Sequence, residues 1–268
     1  STHFVNIALH LVTAFFVYQL ARQMGLNIWI AAALTLLFGI HPMRVESVAW
    51  ATERKDVLFA SFYFAALVQW AKYCKSNDYT FKNKYYWLTF LLFIGSLFSK
   101  VQSVSLPLSM LCLDYFFNRK IAWRLIFEKT FFWLAALALG VFTVILLKEA
   151  KTIDESVTTF SFAERLLIGA YSFVVYCLKW VFPYEMLPLY PYPTALDTTF
   201  WAAPFVFFAA CGAVFWAWKK ELRWLVFGAT FFFVNFIFVS QIVGAGQGFL
   251  ADRFTYVAYF GFWAMLFG

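Results

Sequence analysis

The chain has 268 residues, of which 63% are hydrophobic and only 13% charged, with a formal net charge of +7; soluble domains carry roughly 25% charged residues. No water-soluble core can hide so much apolar surface, which comes in blocks of about 14 to 20 residues, enough or nearly enough to cross a hydrocarbon layer of about 30 Å. A disordered chain, a disulfide scaffold, a zinc-finger module and a nucleic-acid-binding domain are excluded, and the positive charge calls for a membrane explanation first.

The pattern predicts an all-α, polytopic membrane bundle read as one transmembrane domain over 1–268. Apolar spans fall near 5–21, 28–40, 57–73, 85–98, 101–117, 130–147, 200–218, 222–241 and 254–268. These make nine, and an amphipathic stretch at 163–182 forms a further interfacial or re-entrant helix. Ser1 has no Met before it and Gly268 stops about fifteen residues into an apolar run, so the chain reads as an excerpt. Cys74, Cys112, Cys177 and Cys211 are scattered, without metal-ligand spacing, and read as packing residues.

Within the first span, His3, Asn6, His10 and Thr13 recur on one helix face. That face points into the bundle as hydrogen-bonding glue. The two histidines are seven apart, where side-by-side metal ligands need four, so no metal is assigned.

The run from His41 to Asp56 follows a helix break at Gly39 and Pro42 and predicts an amphipathic helix on the outer surface. On a helix, Glu46 and Glu53 share one face, while Arg44 and Lys55 share the opposite one. It is either a solvated surface helix or a polar site, since charges beside apolar spans tend to mark substrate or ion pathways. Lys100 sits at a polar turn with Ser99, Gln102 and Ser103, where it either snorkels to the interface or points inward to neutralise an anion. The outer segment 148–199 ends in four prolines within residues 183–193, an extended aromatic stretch suited to anchoring or to stacking on a ligand. Asp252 and Arg253 precede the last span. The acid either pairs locally or caps a helix, and the guanidinium suits a two-pronged grip on phosphate.

With 163–182 kept out of the membrane, the basic residues of the loops at 72–84, 119–129 and 219–223 all fall on one face, which is then cytoplasmic. Headgroups and orientation account for them without a ligand. The charges of 41–56, Lys100, 148–199 and 252–253 are left on the other side.

Four motifs in order, HPMRVESVAWATERKD at 41–56, Ser99-Lys100 with Leu106-Pro107 and Leu113-Asp114-Tyr115, Tyr190-Pro191-Tyr192-Pro193, and Ala251 to Tyr256, resemble the membrane portion of bacterial tetratricopeptide-repeat membrane proteins. These are similar to the transmembrane and tetratricopeptide-repeat-containing O-mannosyltransferases. The resemblance covers essentially the whole chain. It implies a GT-C glycosyltransferase, integral to a bacterial inner membrane, moving a hexose, mannose first, from a polyprenyl-phosphate sugar to a Ser or Thr hydroxyl of an acceptor protein on the non-cytoplasmic side. The polyprenyl-phosphate sugar enters as donor substrate, no cofactor is assigned, and the sequence leaves a divalent metal open. Such chemistry needs a carboxylate as general base and cations to stabilise the departing phosphate. Glu46 is the first candidate base, with Glu53 and Asp56 behind it. Arg44, Arg54, Lys100 and Arg253 are candidate phosphate partners, supported by His41 and Asp252. Two departures from the family's pattern bear on these assignments: GT-C enzymes usually place a key acid in the loop after their first span, a loop expected to precede this sequence, and the carboxyl-terminal repeats of the family are expected beyond its end. The competing class is a carrier or flippase for lipid-linked sugars, or a scaffold for a repeat domain, which needs the cations but no base.

Overall fold

The computed structural model describes residues 2–76, 78–120, 122–149, 160–187, 190–193, 195–240 and 248–268. The mostly polar piece expected from Lys148 to Glu164 and the glycine-rich run expected from Gly244 to Gly248 fall largely outside the described residues. Helices dominate. In order they are α1 (Thr2–Gln23), α2 (Ile28–Ile40), α3 (Val45–Ala49), α4 (Arg54–Lys75), α5 (Lys84–Ser99), α6 (Leu106–Phe116), α7 (Trp123–Glu128), α8 (Thr130–Glu149), α9 (Phe162–Val181), α10 (Thr198–Lys219), α11 (Arg223–Phe236) and α12 (Phe260–Phe267). A two-stranded antiparallel ribbon, β1 (Tyr190–Pro191) with β2 (Gly248–Leu250), is the only sheet among the described residues.

The boundaries follow local chemistry. Gly25 takes a left-handed φ of 101° after α1, and Asn27 then caps α2 by accepting from the amides of Trp29 and Ile30. Asn83 and Asp197 cap α5 and α10 in the same way, and Ser161 with Glu164 forms a capping box on α9.

Among the described residues, three helices are long and apolar enough to cross a membrane, His3–Gln23, Ala51–Lys75 and Thr198–Lys219, or four if the pair Ile28–Ile40 and Pro42–Ala49, bent by 61°, counts as one span. The all-α class holds, and the nine predicted spans are not supported. The run 101–117 splits into a 3₁₀ segment, Val101–Ser105, and the 11-residue α6. The run 254–268 begins with a 3₁₀ turn, Asp252–Thr255, and leaves only the eight-residue α12. Their apolar side chains are buried against protein instead of lipid, a distinction that composition does not carry.

Helix α4 is the hub. Of its apolar window 78% is buried, against 28% for α1 and 17% for α10, so α10 forms an edge of the bundle. Polar side chains join neighbouring helices around α4. Thr13 meets Ser61 at 2.7 Å, and the Tyr63 hydroxyl lies within 3.0 Å of Ser105, Ser109 and Asn235. Of the stripe predicted on α1, Asn6, His10 and Thr13 face this interior, where Asn6 donates to the Trp50 carbonyl and His10 contacts the Tyr256 hydroxyl and the Gly39 carbonyl, whereas His3 is exposed. Gly228 and Gly261 bring α11 and α12 so close that a Cβ on either would strike the other's backbone.

Residues 41–56 are not one helix. They form a 3₁₀ turn at Pro42–Arg44, the short α3, an extended Trp50 and a second 3₁₀ turn at Ala51–Glu53 that leads into α4. The bond from Asn6 to the Trp50 carbonyl holds the break.

Candidate functional site

The folded-back 41–56 segment meets the loop before α12. Arg253 donates its backbone amide to Glu46 Oε2 at 2.9 Å and its guanidinium to Glu46 Oε1, while its Nε lies 3.7 Å from Glu53 Oε2. Glu46 and Glu53 thus share one cation. The break at Trp50 makes this possible by turning the two carboxylates toward the same point from separate turns. Glu53 is 5% exposed, and its Oε2 has no hydrogen-bond partner among the described residues, although Lys55 lies 3.5 Å away.

Beside this group Lys100 Nζ pairs with Asp56 Oδ1 at 2.5 Å, and Ser47 donates to Asp56 Oδ2 at 3.3 Å. Lys100 also stands over the Phe59 and Phe254 rings. It points inward instead of snorkelling. Burial raises the Glu46 carboxyl above the ordinary carboxylate range, against the opposing pull of Arg253. Burial also lowers the Arg253 guanidinium, but bonding to Glu46 outweighs it and the net direction is up.

Two openings flank the cluster. On one side an apolar groove of about 740 Å³ runs along α8 past Leu137, Val141 and Ile145, with Lys100, Gln102 and Phe254 among its lining residues. Gln102 is 5% exposed and its Oε1 lacks a hydrogen-bond partner among the described residues, so a buried acceptor is open at the groove. On the other side a pocket of about 360 Å³ lies between α3 with Trp50 and the loop at Met186 and Leu187, with Glu46 and Asp252 in its lining.

The remaining predicted residues take other places. Arg44 is 2% exposed and boxed by the rings of Phe38, Tyr256 and Tyr259; its Nε donates to the Phe38 carbonyl at 3.2 Å. It belongs to the interior, away from the groove. Arg54 turns to α1, donating to Asn6 at 3.3 Å. His41 closes the helix break, bonded to the Trp180 carbonyl and packed against Tyr259 and Trp263. Asp252 is buried with Lys179 at 3.7 Å and the Tyr190 hydroxyl at 2.9 Å, a role neither of local pairing with Arg253 nor of helix capping. Burial raises its carboxyl, opposed by Lys179.

Lys179 and Tyr190 were not singled out by the sequence as site residues. Their signal was present, a lysine on an otherwise apolar helix and a tyrosine in the proline-rich stretch, but nothing local ties them to Asp252, 73 and 62 positions away. Among the described residues no group of three His, Cys, Asp or Glu side chains is arranged to hold a metal ion.

No protein-family model matches the chain, and no solved structure matches it. Three curated relatives do match in part. A protein O-mannosyl-transferase of Caenorhabditis elegans is 32% identical over 122 residues, 44% of this chain and 16% of the relative. Protein O-mannosyl-transferase TMTC1 of human is 29% identical over 118 residues, 42% of this chain and 13% of its own length, and the mouse protein of that name is 28% identical over the same number. The matches thus take in less than a fifth of each relative. The chain is an all-α protein with apolar helices fit for a membrane, similar over part of its length to proteins named O-mannosyl-transferases.

Proposed function

We propose that this chain carries the transfer site of a membrane glycosyltransferase of GT-C type, which moves a hexose, mannose by its relatives' names, from a polyprenyl-phosphate carrier to a protein Ser or Thr hydroxyl on the non-cytoplasmic side. The reading rests on one observation above the rest: a cluster of three carboxylates and two cations beside an apolar groove of about 740 Å³ that includes Lys100. A long isoprenoid fits the groove by its apolarity, and a phosphate at its polar lining meets Lys100 and, beyond it, Arg253.

Each cation is held by a carboxylate in the free protein, Arg253 by Glu46 and Lys100 by Asp56. A donor phosphate competes for these cations. As it takes them over, the carboxylates lose their partners and become better proton acceptors, Glu46 first. In the transfer step the acceptor oxygen forms a bond to the sugar's anomeric carbon as the bond from that carbon to the phosphate oxygen breaks. The hydroxyl proton passes to the carboxylate, and the electron pair leaves with the phosphate, whose charge the two cations stabilise.

The test uses the full-length protein in liposomes with radiolabelled polyprenyl-phosphate mannose and other hexose donors. Label should pass to protein, and Lys100→Gln should raise the donor KM about tenfold or more. Saturable donor binding without transfer from any donor would sink the enzyme in favour of a carrier.

A further inference from the structure

The pocket opposite the lipid groove is built from parts that the transfer chemistry does not otherwise need. One wall is α3 with Trp50, whose side chain is 46% exposed, and the facing wall is the loop at Met186 and Leu187, the latter 47% exposed. That loop is pinned from below. Lys179, 2% exposed, donates to the carbonyls of Tyr184 and Glu185 at 2.7 and 3.0 Å and to the Tyr190 hydroxyl at 2.6 Å. The same hydroxyl accepts from the Leu187 amide at 2.9 Å and lies 2.9 Å from Asp252 Oδ1. Glu185 is driven to a left-handed φ of 41°, a conformation that is strained for a non-glycine residue. A buried lysine and a strained turn hold two apolar side chains up beside a pair of carboxylates.

The pocket also adjoins the proposed transfer site. Glu46 lines it and binds Arg253. Asp252 lines it while Phe254, two residues on, lines the lipid groove, a separation of at most about 7 Å along the backbone. Resting on the transferase reading above, we infer that this pocket is the acceptor subsite: it takes an extended polypeptide segment whose Ser or Thr hydroxyl meets Glu46 and Asp252 while a neighbouring apolar or aromatic side chain packs between Trp50 and Leu187. Carboxylates accept a hydroxyl's hydrogen bond, and the apolar walls select the flanking residue. The donor arrives from the groove and the acceptor from the opposite side, with Arg253 between them. Tyr190 and Lys179 are positioning residues that set the loop against Asp252.

The full-length protein in liposomes, with polyprenyl-phosphate mannose and a Ser/Thr peptide carrying an aromatic neighbour, gives separate KM values for donor and acceptor. Trp50→Ala and Leu187→Ser should each raise the acceptor KM about tenfold, with the donor KM and saturating kcat within about twofold of wild type. Replacing the peptide's aromatic neighbour by Gly should cost wild type the same factor and the Trp50→Ala variant little more. Tyr190→Phe should act on the acceptor KM in the same direction. An unchanged acceptor KM in both wall variants, or an equal rise in donor KM, overturns the subsite while leaving the transferase standing. Absence of transfer by wild type from every hexose donor overturns the transferase and the subsite with it.

Discussion

Two of the buried ionic clusters among the described residues differ in balance and access. In the first, Asp114 pairs with Lys129 at 2.5 Å and Arg119 at 2.7 Å, and Glu128 pairs with Arg119 at 2.9 Å. Trp70 and Cys74 donate to Asp114, Tyr73 donates to Glu128, and no charged side chain in the set is more than 8% exposed. Two acids meet two bases. In the second, Glu46, Glu53 and Asp56 share Arg253 and Lys100, which are 18% and 13% exposed, with Lys55 at the margin. That cluster carries an excess carboxylate and opens on a groove and a pocket. Similar residue types thus form a balanced, closed set in one place and an unbalanced, more open one in the other.

The largest effect should come from breaking the closed set. Asp114→Asn strands two buried cations on one remaining carboxylate, and losing one partner of a buried pair costs about 3–5 kcal/mol. Thermal unfolding in detergent should fall by about 10 °C or more. Donor KM in the fraction that stays folded should match wild type. A variant that melts normally would show that the set is not a staple.

Next comes Glu46→Gln, which should lower the transfer rate about 100-fold or more while donor binding persists. Its melting temperature should fall by less than half as much as that of Asp114→Asn, because Arg253 keeps Glu53 and partial access to water. Equal losses of stability in the two variants would erase the contrast between the clusters.

The pH dependence sharpens the same comparison. Burial raises the folded-state carboxyls of Glu46 and Asp252 above the usual range. Transfer that needs Glu46 ionised should therefore lose rate as pH falls through that raised value. Stability should move the other way: a carboxyl raised on folding favours the folded state below its unfolded value of about 4.3 or 3.9, and that contribution is lost as pH rises through the folded value. Rate profiles and melting curves across mildly acidic pH check both signs, and a rate that rises on acidification contradicts the assignment. The smallest effect belongs to Lys55→Ala. Its side chain is 52% exposed, and its pairing with Glu53 should be worth less than about 1 kcal/mol, within a few degrees of melting.

How much of this was legible in the sequence depends on how far apart the partners lie. The helical, apolar class and the break at Pro42 are local properties and were readable. The number of spans was not, because an apolar run that packs on protein has the same composition as one that faces lipid. Glu46 and Glu53 were readable as a pair, but by helical periodicity, whereas the chain brings them together through a break at Trp50. Their cation lies 207 positions from Glu46, so the charge tally placed the two on one side of the membrane and the family resemblance placed them in one site. Arg119 and Lys129 read as headgroup charges on a cytoplasmic loop; they are buried at 7% and 0% side-chain exposure and face Asp114 and Glu128. Nothing in a count of charges separates a lysine that faces phosphate from one that faces an aspartate. The neighbours of Arg44 in sequence point to a phosphate partner, whereas its aromatic box is assembled from α2 and from Tyr256 and Tyr259, far along the chain.

The most direct measurement is single-turnover transfer from polyprenyl-phosphate mannose by full-length wild-type protein and its Glu46→Gln and Asp114→Asn variants, each normalised to its folded fraction. Transfer lost in Glu46→Gln and retained per folded molecule in Asp114→Asn is the predicted result. Wild-type rates in Glu46→Gln, with Asp114→Asn inactive though folded, would contradict it and move the chemistry to the other end of the bundle.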